Sequence, residues 1–275
     1  MNSPFSYKYG MIHEDEAEIK QMGDINQLIT NKVIDETDLK ILSLIHRFRL
    51  LTAEMISTYF KDDKIWGPNF SKNRLRKYMK NGLTRRFYVR YANDELYSRT
   101  VNFYTLSDAS IAFLKKYSGL QVFKIEQKDM LNVGDVLSNL AINQMLINYS
   151  LGIDDFIRYE YEPKKSRRFA KVTLSNHEIG VFCIRKDQNF ELLSNKIKDV
   201  SKDVDSVLLL FEDELFMVES HFKHMHDYLK PLFYITDLMM VSRDMNESIL
   251  KVTGEINKPS ILEYKFKEMR EKSGN

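Results

Sequence analysis

Cysteine is nearly missing from this chain, with one residue, Cys183, in 275. A single thiol excludes an internal disulfide and a cysteine-based metal cluster. Long hydrophobic runs are missing too: the apolar stretches are short and broken by charges, which predicts no membrane span. The opening MNSPFSYKYGMIHEDEAEIK has no apolar core segment and soon turns acidic, so no secretory leader and a cytoplasmic location are expected. No glycine-rich phosphate loop is present, which argues against an ATPase. The clustered histidines His221, His224 and His226 do not share one helical face and lack a completing carboxylate, so neither a metal site nor a cofactor is predicted.

What is present is positive charge in one place. The net charge is only +2, but residues 39–120 hold 16 Lys and Arg against 6 Asp and Glu, a surplus of 10 that leaves the rest of the chain at −8. Its centre is SKNRLRKYMKNGLTRRFYVR, from Ser71 to Arg90, and no carboxylate interrupts the chain between Asp63 and Asp94. Leu75 and Met79, one turn apart with Tyr78 beside them, give a helix an apolar anchor. The opposite face then carries Asn73, Lys77 and Lys80, flanked by Arg74 and Arg76. A docked helix with a basic outer face suits a DNA major groove, whereas a merely solvated face ordinarily mixes signs.

The flanking pattern completes a domain. Residues 1–34 read as an acidic arm with a short helix near Glu14 to Met22. Asp35 or Thr37 can cap a helix with Leu39, Leu42, Ile45 and Phe48 inward, and Thr52 caps a second after a short connection. Gly82 is placed to end the basic helix in a left-handed conformation. FYVRYA and TVNFYTL around Asn93 to Glu95 predict a hairpin carrying Arg90 and Arg99, and Ser107 caps a closing helix. Residues 35–120 are thus expected to form a winged helix-turn-helix domain able to fold alone.

Residues 121–150 read as a linking helix whose stripe (Met130, Val133, Val136, Leu137, Leu140, Ala141, Met145) covers the second domain, a second copy of the chain, or both. Residues 151–275 alternate strands and helices around the near-continuous apolar SVLLLFE, which predicts a small α/β domain with a mixed sheet, giving an α+β chain. Within it NFELLSNKIKDV is helical with Leu192 or Leu193 inward, a helix is expected from Met217 to Leu229, and Glu212 reads as a solvated strand boundary. Lys164, Lys165, Arg167, Arg168 and Lys171 form a second basic group that either touches DNA or solubilises its loop.

IDETDLKILSLIHRFRLLTAEMISTYF, SKNRLRKYMKNGLTRRFYV and VNFYTLSDASIAFL together resemble the N-terminal domain of the replication-relaxation family of plasmids and other mobile elements. The resemblance covers about 80 residues and implies a second domain of the restriction-endonuclease type. Active nucleases of that type hold metal with a Pro-Asp pair and an acid-x-acid or acid-x-Lys group on neighbouring strands. This chain has Ala170, Lys171 and Val172 at one place and Cys183, Ile184 and Arg185 at the other, which implies a degenerate domain without catalysis.

The expectation is therefore a non-enzymatic DNA-binding accessory protein of a mobile element, acting at an origin with a replication initiator or relaxase. Lys72, Asn73, Arg74, Arg76, Lys77, Lys80, Arg85, Arg86, Arg90 and Arg99 are its candidate contacts to double-stranded DNA. Asn73, Arg74 and Lys77 are expected at base edges, and the helix end and hairpin at phosphates. A homodimer is expected, since two copies would read two half-sites. A transcriptional regulator with a dimerising or ligand-sensing second domain, and a metal-dependent nuclease with displaced ligands, are the alternatives.

Overall fold

The computed structural model describes residues 5, 10–15, 22–61, 69–91, 101–118, 132–150, 156–161, 168–174, 177–212, 231–242, 249–253 and 260–264. The architecture is mixed α+β with two separate sheets. The chain divides into two units, Lys8–Val133 and Gly134–Asn275, the second grouped with Met1–Tyr7.

In the N-terminal unit, β1 (Gly10–Glu14) and α1 (Met22–Thr30) precede α2 (Glu36–Phe48), α3 (Ala53–Tyr59), α4 (Phe70–Lys80), β2 (Thr84–Tyr91), β3 (Val101–Leu106) and α5 (Asp108–Ser118). Asp35 caps α2 by accepting from the Asp38 amide at 2.8 Å, and Asp38 accepts from the Asp35 amide at 2.9 Å. These reciprocal bonds satisfy amides that the first turn would otherwise leave open. Thr52 caps α3 by accepting from the Met55 amide, 3.1 Å away. Between the two helices Leu51 exchanges backbone hydrogen bonds with Tyr104, fixing the connection to β3. Gly82 ends α4 at φ 64°, where the Leu83 amide donates to the Tyr78 carbonyl at 2.8 Å; this left-handed position carries no steric cost for glycine. Ser107 starts α5 by accepting from the Ser110 amide.

From Lys8 onward the expected acidic arm is part of this unit. β1 pairs antiparallel with β2, from Gly10 opposite Tyr91 to Glu14 opposite Phe87, giving the sheet order β1-β2-β3. α1 begins at Met22, where the predicted helix was to end, and packs against α5 with Ile25 fully buried. The hairpin turn 92–100, with Arg99, lies outside the described residues.

The C-terminal unit opens with α6 (Val133–Ser150), followed by β4 (Phe156–Tyr161), β5 (Phe169–Leu174), β6 (His177–Ile184), α7 (Phe190–Val200), β7 (Ser206–Phe211), β8 (Leu232–Thr236), α8 (Asp237–Ser242), β9 (Ile249–Thr253) and β10 (Ser260–Tyr264). Seven strands form one mixed sheet in the order β10-β9-β8-β7-β6-β5-β4, with β6, β7 and β8 parallel and the flanking pairs antiparallel. Every residue of β7 is buried, as its apolar run requires. One sheet face packs Phe169, Phe182, Phe211 and Tyr234 against Leu193 and Ile197 of α7, while Leu192 points outward at 70% exposure.

α6 narrows the readings that its stripe left open. It belongs to the C-terminal unit, and its buried side chains run right round the helix: Val136, Leu137, Leu140, Ala141, Ile142, Asn143, Met145, Leu146 and Ile147. A helix buried on every side offers no stripe to a second copy. The predicted helix from Met217 to Leu229 lies outside the described residues.

Candidate nucleic-acid interface

α4 is seated by Ser71, Leu75 and Tyr78, all essentially inaccessible, while Met79 is half-buried. The Ser71 and Ser57 hydroxyls lie 2.7 Å apart, bringing α3 and α4 into close contact. Burial of Tyr78 in place of Met79 turns the helix from the orientation that the Leu75 and Met79 spacing predicts. The outward face becomes Lys72, Asn73, Arg76 and Lys80, all exposed, and Lys77 moves to the flank beside Arg74.

Asp38 is the reason for that rotation. Its carboxylate is fully buried and accepts from the Tyr78 hydroxyl at 2.6 Å, from Lys77 Nζ at 2.6 Å and from an Arg74 Nη1. Arg74 also donates to Asp35 at 2.8 Å and lies over the Phe70 ring. Burial, then the bond to Asp38 and its charge, push the Tyr78 phenol far above its ordinary range, so it stays a donor. For Asp35, burial acts upward, but the Arg74 and Asp38-amide bonds outweigh it and leave the carboxyl below its ordinary value. Arg74 and Lys77, expected at base edges, are thus tied to the start of α2.

The first two hairpin arginines are also paired. Arg85 donates through Nε and Nη2 to the two oxygens of Glu14 at 2.5 and 2.6 Å, and its guanidinium lies over the Phe87 ring. Arg86 Nε donates to Asp15, whose own amide donates to the Arg86 carbonyl at 3.0 Å. Hydrogen bonding to Glu14 raises the Arg85 pKa, and hydrogen bonding to Asp15 raises that of Arg86. Arg90, further along β2, is exposed. His13 stacks on Tyr88 with centroids 5.2 Å apart, joining β1 to β2 through side chains as well.

Four carboxylates therefore shape this surface, and only Asp35 was legible beforehand, as a cap. Asp38 stands at the third helical position, where its capping role could be read, but its partners lie 36 to 40 residues onward. Glu14 and Asp15 reach the arginines only because β1 pairs with β2, and GMIHE carries little strand signal.

In the C-terminal unit the two described members of the second basic group are each paired with acids. Arg168 is buried, donating to Asp135 at 2.7 Å and to both oxygens of Asp187, while Lys171 pairs with Glu178; Lys164, Lys165 and Arg167 lie outside the described residues. A Cβ on Gly134 would meet the Arg168 guanidinium and Asp187, so glycine is what lets α6 start this close. In the parallel register Ile184, Phe211 and Thr236 stand side by side, so Arg185, Glu212 and Asp237 follow at three adjacent strand ends. All three are fully buried. Arg185 donates to Asp237 at 2.7 Å and Glu212 accepts from the Lys186 amide at 2.7 Å, which corrects the expectation that Glu212 is a solvated boundary. No group of three metal-ligating side chains occurs among the described residues, and no described helix is long and apolar enough to cross a membrane. No family model and no curated protein matches the chain.

Proposed function

We propose that this chain binds duplex DNA as a winged helix, laying α4 in the major groove with the β2–β3 hairpin against the backbone. The observation that carries the reading is the outward face of α4. Lys72, Asn73, Arg76 and Lys80 are exposed together on a helix that contains no carboxylate. Such a face concentrates positive potential where phosphates lie. The order α2, short connection, α3, α4 and hairpin, with Leu51 bridged to Tyr104, supports the same fold. Asn73 and Arg76 reach base edges in this reading, while Lys72, Lys80 and Arg90 meet phosphates; Arg74 and Lys77 hold the helix in place.

The C-terminal unit is assigned to assembly and partner binding, as a degenerate nuclease-type domain. The sequence of α6, the β4-β5-β6 meander, α7 and parallel β7 supports it, as does a buried guanidinium, Arg185, where the resemblance calls for a metal-holding or catalytic group. The resemblance to the replication-relaxation family points to an origin of a mobile element as the site of action, with an initiator or relaxase as partner. Two copies on two half-sites belong to this reading, joined through a surface other than α6.

Fluorescence anisotropy of the intact chain on duplex DNA across a salt series tests it. Neutralising about four phosphates gives a slope of log K against log salt near −3 to −4. A slope near −1, or no binding at low salt, would defeat the proposal.

A further inference from the structure

We infer that β1 is an acidic strap that regulates this DNA face by occupying Arg85 and Arg86, an inference that rests on the DNA-binding reading above. Arg85 and Arg86 lie three and four residues after Gly82, the left-handed end of α4, near the start of β2, so they stand close to where the recognition helix passes into the hairpin. Cations at such a junction lie within reach of the phosphates flanking an inserted helix.

A guanidinium meets a carboxylate and a phosphate through the same planar fork of donors. Glu14 takes both Nε and Nη2 of Arg85, so a phosphate approaching that edge has to displace Glu14 rather than add beside it. Asp15 holds Nε of Arg86 likewise. Backbone pairing delivers these acids: Glu14 stands opposite Phe87 in the ladder, and the Asp15 amide is bonded to the Arg86 carbonyl.

Exposure separates these pairs from the Asp38 hub. The side chains of Arg85, Glu14, Arg86 and Asp15 retain 34%, 35%, 39% and 23% of their accessibility, whereas Asp38 retains none. Half-exposed ion pairs are weak and exchange partners readily, so a phosphate can replace Glu14 or Asp15 but not Asp38. The free protein therefore presents Lys72, Arg76, Lys80 and Arg90 at once and keeps Arg85 and Arg86 in reserve. Binding is set below what the full basic face would give, by a competitor built into the same chain.

The test compares the intact protein with E14Q/D15N on duplex DNA of random sequence between about 50 and 200 mM KCl, with circular dichroism melts verifying both folds. Removing the competitor should tighten binding about three- to tenfold at the lowest salt and steepen the salt slope by about one to two, because two more cations meet phosphates. Adding R85Q/R86Q to that variant should abolish the gain. If E14Q/D15N melts too low to assay, E14Q alone carries the same comparison for Arg85. A folded variant with the affinity and slope of a DNA-binding wild type overturns the strap, as does a gain that survives loss of both arginines. A wild type and variant that both fail to bind overturn the DNA reading itself, and the strap with it.

Discussion

The Tyr78 hydroxyl donates to Oδ1 of Asp38 across 2.6 Å, with both side chains shut off from solvent. The same carboxylate takes Lys77 and Arg74, so one buried acid at the start of α2 sets how α4 is turned. Asp38→Ala leaves the donors without their acceptor and should cost about 3–5 kcal/mol, whereas Tyr78→Phe removes one bond of several and should cost about 1 kcal/mol. Urea unfolding midpoints order the two. A loss for Tyr78→Phe, which keeps the ring and removes only the hydroxyl, larger than that for Asp38→Ala would mean that the carboxylate is not what seats the helix.

The turn of α4 separates reading from support. Asn73→Ala and Arg76→Ala should change the ranking among DNA sites by about 1–3 kcal/mol, and Lys80→Ala and Arg90→Ala should weaken all sites alike. Arg74→Ala should lower thermal stability while leaving the ranking of sites intact. Site selection from a randomised duplex pool shows which class each variant joins, and an altered ranking for Arg74→Ala would return it to the base edges.

Arg185 and Asp237 form a pair with no exposure on either side. Breaking one half strands a charge in the interior, so Asp237→Ala should destabilise the C-terminal unit by about 3–5 kcal/mol. Replacing both together, as R185M/D237L, should recover most of that loss, because the desolvation of both ions disappears as well. Chemical unfolding of the three proteins compares them. A double variant no better than Asp237→Ala would assign Arg185 a bonding role beyond this pair.

Several of these relationships were open to sequence reasoning and others were closed to it, for identifiable reasons. Caps are local, so Asp35, Thr52, Ser107 and Gly82 were legible from the chain alone. The apolar run of β7 likewise announced burial on both faces. Periodicity placed α4 but mis-turned it, because Tyr78 and Met79 compete for the inward position and a carboxylate on another helix decides between them. Glu212 looked solvated because strand ends commonly are; three parallel strands ending in register, with Arg185 and Asp237 alongside, bury it instead.

Cys183 gives a direct reporter on the seven-stranded sheet. Burial, ahead of the neighbouring charges, pushes its thiol up to about 11. As the chain's one cysteine it should resist a disulfide reagent at pH 8 in the native protein and react once the sheet opens. The labelling rate should rise with urea in step with loss of C-terminal structure. Prompt labelling under native conditions would place the thiol in contact with solvent.

β1 also has a consequence that involves no charge at all. β2 has β3 on one side and β1 on the other, so its N–H and C=O groups are spoken for on both edges along the shared register. A fragment starting at residue 35, which the helix caps alone would suggest, strips β1 away and lays bare a row of unpaired backbone groups on β2. Such an edge is a template for a strand from another molecule. The shorter fragment should therefore self-associate as its concentration rises, while one starting before Gly10 stays dispersed; the true beginning of the N-terminal unit is set by strand pairing rather than by the first helix.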